Sequence, residues 1–470
     1  MNRLSLFLAL LVVLAAPVQA AQSTAAVALT DTVRLSLDDA VSRAIASGSD
    51  LRVAQANVGI ADGRVKEAAA GALPQITGTV TYNKKFDSIF SSLAGDTTLG
   101  SLFSNSSFAA EHTWTADLTV TQTLWSGGRV GSALRGALAY RKVARADRDE
   151  TRADIALRVR AAYLQAVYAR EVEVIAYSAL EQARAHLKRV QLFKDQGSRA
   201  EYDLIQAQVD AANQEPPAVE ARDAAAISLL QLKRLLGMPL SQPIALTTPL
   251  SFEAGQVPVL ASEPADGASR AALVGAEENV KFRRQLLTYE KAGRWPQLLA
   301  SGTVSHQAFP TETWPDREQF RRAIDGSIKL EWPLFQGFRT FGTVQRARAE
   351  LAQAEAAREQ TRQGVELEVE QARNEVRARL ATLVARRGTV TLATRAHHLA
   401  SVRYQNGLAT QLEVSDSRLK MQTAQVNEVA ASKDYRIALL QLERATGQPL
   451  TLVPRSMDDI TSTLQSDEGR

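Results

Sequence analysis

The 470-residue chain contains no cysteine, which excludes disulfide frameworks, thiolate metal sites, cysteine nucleophiles and a lipid-modified N-terminal cysteine. Histidine is scarce, at five residues, and aromatics make up only 6%. The adjacent His397 and His398 fall within a helical stretch, where successive side chains point about 100° apart and do not readily share a metal. There is no HExxH, and no glycine-rich phosphate loop followed by lysine. No catalytic, cofactor-binding or metal-ligating residue is therefore assigned. A charge of one sign is lacking too: 55 basic and 51 acidic residues leave a net +4, spread along the chain, which gives no reason to expect nucleic acid. Beyond residue 20 no run reaches the roughly 18 apolar residues that a spanning helix needs. If the mature chain enters a bilayer, it does so as a β-barrel.

The first 20 residues carry an apolar run, Leu4 to Ala16, between Arg3 and Val18-Gln19-Ala20, the pattern of a secretory signal with the mature chain starting near Ala21. The mature chain is built on a duplication. Leu124-Trp125-Ser126-Gly127-Gly128-Arg129 recurs as Leu334-Phe335-Gln336-Gly337-Phe338-Arg339, and one constant displacement also carries Gly197 onto Gly407 and Gly237-Met238-Pro239 onto Gly447-Gln448-Pro449. Upstream, Pro74-Gln75 matches Pro296-Gln297 at a displacement a dozen residues larger. The first copy thus holds an insertion, expected in a Ser-, Gly- and Asn-rich loop between Lys84 and Glu111. The first repeat is placed at 21–239, an equatorial inter-repeat segment at 240–267, the second repeat at 268–449 and a C-terminal tail at 450–470.

Each copy reads as a helix, two strands, a very long helix, a glycine turn and another helix. The opening helices are predicted over 37–72 and 268–294, each closed by the proline of the Pro-Gln pair. The long ones are predicted over 129–196 and 339–406, where proline is absent and positions such as Ile155, Val159 and Ala162 recur at three and four residues. At 1.5 Å per residue each spans about 100 Å, too long for a compact domain and suited to a coiled-coil-like assembly. Glu215-Pro216-Pro217 predicts a break or kink.

The strands, predicted near 74–86, 112–125, 297–307 and 323–334, alternate strictly: Trp114, Ala116, Leu118 and Val120 on one face, Thr115, Asp117, Thr119 and Thr121 on the other. A soluble half-buried sheet also alternates. Here, however, the strands have the roughly 10-residue length that crosses a bilayer at a tilt, and Tyr82, Trp114, Trp125 and Trp332 lie toward strand ends, where an aromatic girdle sits. Four strands cannot close a barrel, so it must be shared: two chains give eight strands and a filled interior, three give twelve and a conduit. A secreted coiled-coil filament or adhesin is the rival class, separable because it washes off a membrane at high salt.

The strand exits quoted above, together with Arg403-Tyr404-Gln405-Asn406-Gly407 and Leu412-Glu413-Val414-Ser415-Asp416-Ser417-Arg418, resemble the TolC family of outer-membrane efflux proteins across the whole mature chain. The resemblance implies a mainly helical fold with membrane β: a homotrimer whose 12-stranded barrel, set in outer-membrane lipid, continues as an α-helical barrel in the periplasm. It implies the exit duct of a tripartite efflux or type I secretion system, without cofactor, meeting an inner-membrane pump through a periplasmic adaptor. Without the lipid-bearing cysteine the chain is more similar to the non-lipidated branch. By motif position Asp203 and Tyr404 fall on the constricting contacts of the periplasmic gate and Glu413 and Asp416 on its acidic ring, with the Gly197 and Gly407 turns at the adaptor end. Ala409 stands where the family commonly has a basic residue, with Arg199 or Arg403 as substitutes. Glu413 and Asp416, three apart, share a helix face, and three copies would set six carboxylates around a narrow aperture that attracts cations.

Overall fold

The computed structural model describes residues 32–86, 110–198, 200–252, 256–262, 265–310, 312–456 and 460. The expected signal segment, most of the insertion-bearing loop and Arg199 lie outside them. The chain begins with β1 (Val33–Leu35), α1 (Leu37–Ser47) and α2 (Ser49–Ala70), followed by β2 (Gln75–Lys84) and β3 (His112–Trp125). Next come α3 (Arg129–Asp195), α4 (Glu201–Leu235), β4 (Ile244–Leu246) and β5 (Gln256–Leu260). The second copy supplies α5 (Ala271–Ala292), β6 (Gln297–Ala308), a 3-10 turn, β7 (Arg321–Glu331), α6 (Arg339–Gln405) and α7 (Gln411–Thr446), and β8 (Leu452–Ser456) closes the chain.

Three expectations are corrected. The helix predicted over 37–72 is two helices, because Gly48 is extended (φ −63°, ψ 127°) while its N–H caps α1 on the Ala44 carbonyl at 2.8 Å. A Cβ there would lie 2.6 Å from that oxygen, so only glycine fits the joint. Pro216 and Pro217 do not interrupt α4. They sit on its exposed face, as do Ala212 and Asn213, whose carbonyls they leave without an N–H, while Ala218 beside them is fully buried with Ala176 and Leu180. Finally β7 stops at Glu331, short of 334, since Pro333 offers no N–H to a ladder.

α3 and α6 each run 67 residues. α3 opens at Gly128, held left-handed at φ 87°, and the chain turns out of it at Gly197, φ 73°. Packing between helices relies on small residues: Ala166, Ala179, Ala183, Ala207 and Ala218 are almost wholly buried. About midway along α3, β1 pairs in parallel with β4, and Tyr163, fully buried, ties both down. Its hydroxyl donates to Leu35 O at 2.9 Å and accepts from the N–H groups of Thr247 and Thr248 at 3.1 and 2.9 Å. Around it Leu164, Leu232, Leu236 and Leu250 are also buried, each contributing about 1.5–3 kcal/mol by leaving water. The tail is drawn in as well: β8 pairs antiparallel with β5, and Tyr435 donates to Pro258 O.

β2, β3, β6 and β7 form one antiparallel sheet in that order, so the two hairpins join through the β3–β6 ladder and leave β2 and β7 as open edges. Registered pairs put each side chain on a definite face. Ile76, Val80, Leu118, Val120, Val304, Ile324 and Ile328 share one. The other is polar, with Thr119 and Thr303 hydroxyls 3.1 Å apart, Ser301 and Ser327 at 2.8 Å, and Ser305 donating to Asp117. The apolar face is exposed in the single chain, Val80 at 72% and Ile328 at 73%.

Candidate functional site

The far ends of the long helices carry the site. One apolar cluster gathers both turns: Val190 of α3, Leu204 and Ala207 of α4, Tyr404 of α6 and Val414 of α7. The four helices therefore end together. Tyr404 is buried in this cluster, with its ring centroid 5.3 Å from that of His186. Asp203 is half-buried in the first turn of α4, next to Leu204. Gly197 (φ 73°) and Gly407 (φ 74°) form the exposed turns themselves, in a conformation that other residues adopt with strain.

Glu413 and Asp416 lie on the exposed face of α7, and each has a cation. The Glu413 carboxylate is 3.5 Å from Arg403, and Asp416 is 2.7 Å from Lys420. Glu413 also has a local duty, because it and Thr410 close the capping box at the start of α7. Arg403, one of the two substitutes considered for the missing basic residue at Ala409, spans the turn by also donating to Leu408 O at 3.1 Å. Its partner is thus the acidic residue of its own turn.

A second cluster, deeper in the helices, escaped the sequence reading. Asp210 of α4 accepts at Oδ2 from Ser415, from Gln411 within 3.5 Å and from Arg418 within 3.5 Å, all three on α7. Gln411 in turn accepts from the ring N–H of His186 on α3. Ser417 donates to Val414 O, so its 3.1 Å contact with His397 Nδ1 has the ring of α6 as donor. His186, Gln411 and Arg418 are 6%, 6% and 4% exposed. Burial lowers the basicity of Arg418, opposed by Asp210. Burial also holds His186 below the usual histidine range, with Arg189 and Arg418 adding to the effect and Gln411 and Asp210 opposing it. His397 is lowered in the same way, first by burial and then by Arg418, His186 and His398. The network ties α4 to α7 and α7 to α3. Its members come from four helices, so no local spacing marks it.

Among the described residues no helix is long and apolar enough to cross a membrane, and no group of acidic residues and histidines has the makings of a metal site. The sequence model of the family described as outer membrane efflux protein matches residues 40–238 and 267–448, one segment in each repeat. No curated protein matches the chain. Among solved structures, the outer membrane protein VceC of Vibrio cholerae is 20% identical with a TM-score of 0.70, over 88% of this chain and 96% of that one. The CmeC outer membrane channel of Campylobacter jejuni is 16% identical with a TM-score of 0.69, over 91% and 88%. The open state of the MtrE outer membrane channel of Neisseria gonorrhoeae is 20% identical with a TM-score of 0.67, over 88% and 89%. At these identities the likeness is one of fold.

Proposed function

The chain belongs to the outer membrane efflux protein family, and on that premise we propose that three copies form one continuous duct with a gate at its helical tip. The protein is an outer-membrane efflux duct with its helices in the periplasm. One observation carries the assembly: both edges of the sheet are open while its apolar face runs unbroken across all four strands. Exposed strand edges and exposed apolar area on this scale require partners. β7 of one copy beside β2 of the next closes twelve strands, apolar face to lipid and hydroxyl-rich face to the lumen. The helices continue the wall down to the turns.

The gate is the tip cluster. Tyr404 packs between the two helix pairs against Leu204, the residue after Asp203, and the Asp210–Arg418 network joins α4 to α7 deeper in the wall. Glu413 and Asp416 line the aperture and set its charge. The Gly197 and Gly407 turns, which protrude, are the surface for a periplasmic adaptor that couples the duct to an inner-membrane pump.

In mild detergent the protein is expected to have the mass of three chains. In a planar bilayer, Asp203→Ala combined with Tyr404→Phe is expected to raise conductance well above that of the parent. One- or two-chain mass overturns the assembly, and unchanged conductance overturns the gate.

A further inference from the structure

Charge is segregated between the two faces of the sheet. Of the charged residues in β2, β3, β6 and β7, the register puts Asp117, Arg321, Asp325, Lys329 and Glu331 on the polar face. Only Lys84 and Arg322 fall on the apolar face, and both lie at its hairpin end. Both are basic. Lys84 already has the Glu111 carboxylate at 3.3 Å. Arg322 has no carboxylate partner among the described residues, is exposed, and stands directly across the ladder from exposed His306.

The rows around that pair have a definite order. His306 and Arg322 share a row with Val80 and Ala116. The next row outward holds Tyr82 and Trp114, 4.8 Å apart, with Trp314 stacked on Trp114 at 5.1 Å. The next row inward is Leu118, Val304 and Ile324, and below it the face carries no charge. A basic pair is thus set between an aromatic row and the apolar band, the depth at which hydrocarbon gives way to headgroups.

With the helices in the periplasm, this end of the sheet faces the exterior. We infer that Arg322 and His306 form a docking site for the phosphate of an outer-leaflet lipid headgroup. An arginine on a lipid-facing strand extends toward the interface rather than staying in hydrocarbon. There its fork meets phosphate oxygens in matching geometry, and His306, one cross-strand spacing away, adds a second donor. Tyr82, Trp114 and Trp314 flank the site with rings that favour the same depth. An acidic partner is supplied by the lipid because the outward strand positions supply none. The inference rests on the shared barrel proposed above.

The test uses the full-length protein purified in mild detergent and titrated with diphosphoryl lipid A under native mass spectrometry. Its dephosphorylated form and inorganic phosphate run in parallel. The parent should retain the phosphorylated lipid, and Arg322→Gln should weaken retention about tenfold, the worth of one charge-assisted bond. Arg322→Lys and His306→Gln should weaken it less, and Lys329→Gln, on the lumen face, should leave it unchanged. The site is overturned if Arg322→Gln binds as the parent does, if Lys329→Gln is equally weakened, if the dephosphorylated lipid binds as well, or if millimolar phosphate displaces the lipid. Should Arg322→Gln fail to assemble, undiminished binding by both Arg322→Lys and His306→Gln is the overturning result. The same spectra report the trimer mass, so loss of the barrel is told apart from loss of the site.

Discussion

α3 and α6 are equal in length and equivalent in the duplication, yet more than twice as many side chains are buried in α3 as in α6. α3 lies among α1, α2, α4, α5 and α7, whereas α6 packs mainly along α5 and α7 and meets α3 and α4 at the tip. The difference is written residue by residue. At matched positions α3 presents exposed Gln182 and Arg189, and α6 presents Leu392 and Leu399, 72% and 53% exposed. The other edge of the chain, α4, likewise leaves Ile205 and Val209 about half exposed. At these two positions the helix with more neighbours is polar and the one with fewer keeps leucine, although α3 also exposes Val174 and Leu192. On the trimer proposed above, the exposed leucines are the seam that a second copy would fill.

The largest expected effect breaks that seam. Leu392→Asp with Leu399→Asp puts two charges per chain into a surface meant to lose water, which costs more than the apolar burial it removes. The complex should fall below three chains in detergent, while Gln182→Ala with Arg189→Ala, at the matched positions of α3, should stay trimeric. A trimer that survives the aspartates places the seam elsewhere.

The repeat, the strand alternation and the glycine turns were legible in the sequence because each is a local pattern with a fixed period. What stayed hidden depended on partners. Gly48 looks like any helix glycine until its carbonyl neighbour at Ala44 is known. Pro216-Pro217 reads as a break or kink, and the break is avoided because the lost bonds lie on the solvent face. The tip network joins Asp210 to residues of α7 roughly two hundred positions away, and its counterparts in the duplication are not similar: Lys420 stands for Asp210 and Gln208 for Arg418. A search for matched motifs passes over it for that reason.

That mismatch sharpens the comparison, since the buried charge pair exists at one of two equivalent places. Arg418→Met leaves Asp210 without its cation, and Asp210→Asn does the reverse; removing one member of a fully buried pair costs about 3–5 kcal/mol, and less here because Asp210 still touches water. Each is expected to loosen the tip and raise conductance, and Asp210→Leu with Arg418→Met should recover much of the closure. Acid should act in the same direction. Burial holds His186 and His397 below the ordinary histidine range in this packing of the tip, so their contribution is complete above the ordinary value near pH 6.5 and is lost as pH falls below it. Conductance of the parent should therefore rise on going from about pH 7 to about pH 5, and His186→Gln should flatten that rise. A parent whose conductance ignores pH over this range would mean the histidines stay buried when the tip opens.

The smallest effect is expected at the aperture, where the two repeats are most alike in position and differ in support. Asp203 and Glu413 occupy the same third position of their helices, but α4 begins at Ala200 without a side-chain cap, whereas α7 begins at Thr410 with a complete capping box. Glu413→Gln preserves that box, because glutamine returns the same hydrogen bond. Asp416→Asn removes only an exposed pair with Lys420, and exposed pairs contribute little to stability. The double change should therefore leave trimer mass and closure as they are. It leaves Arg403 and Lys420 without their carboxylates, so the potential at the proposed aperture becomes more positive. Reversal potentials in a salt gradient should shift toward anions, and block by divalent cations should weaken, with conductance itself within about twofold of the parent. Selectivity and block identical to the parent would make Glu413 a cap and Asp416 an ordinary solvated residue, leaving Asp203 and Tyr404 to carry the gate alone.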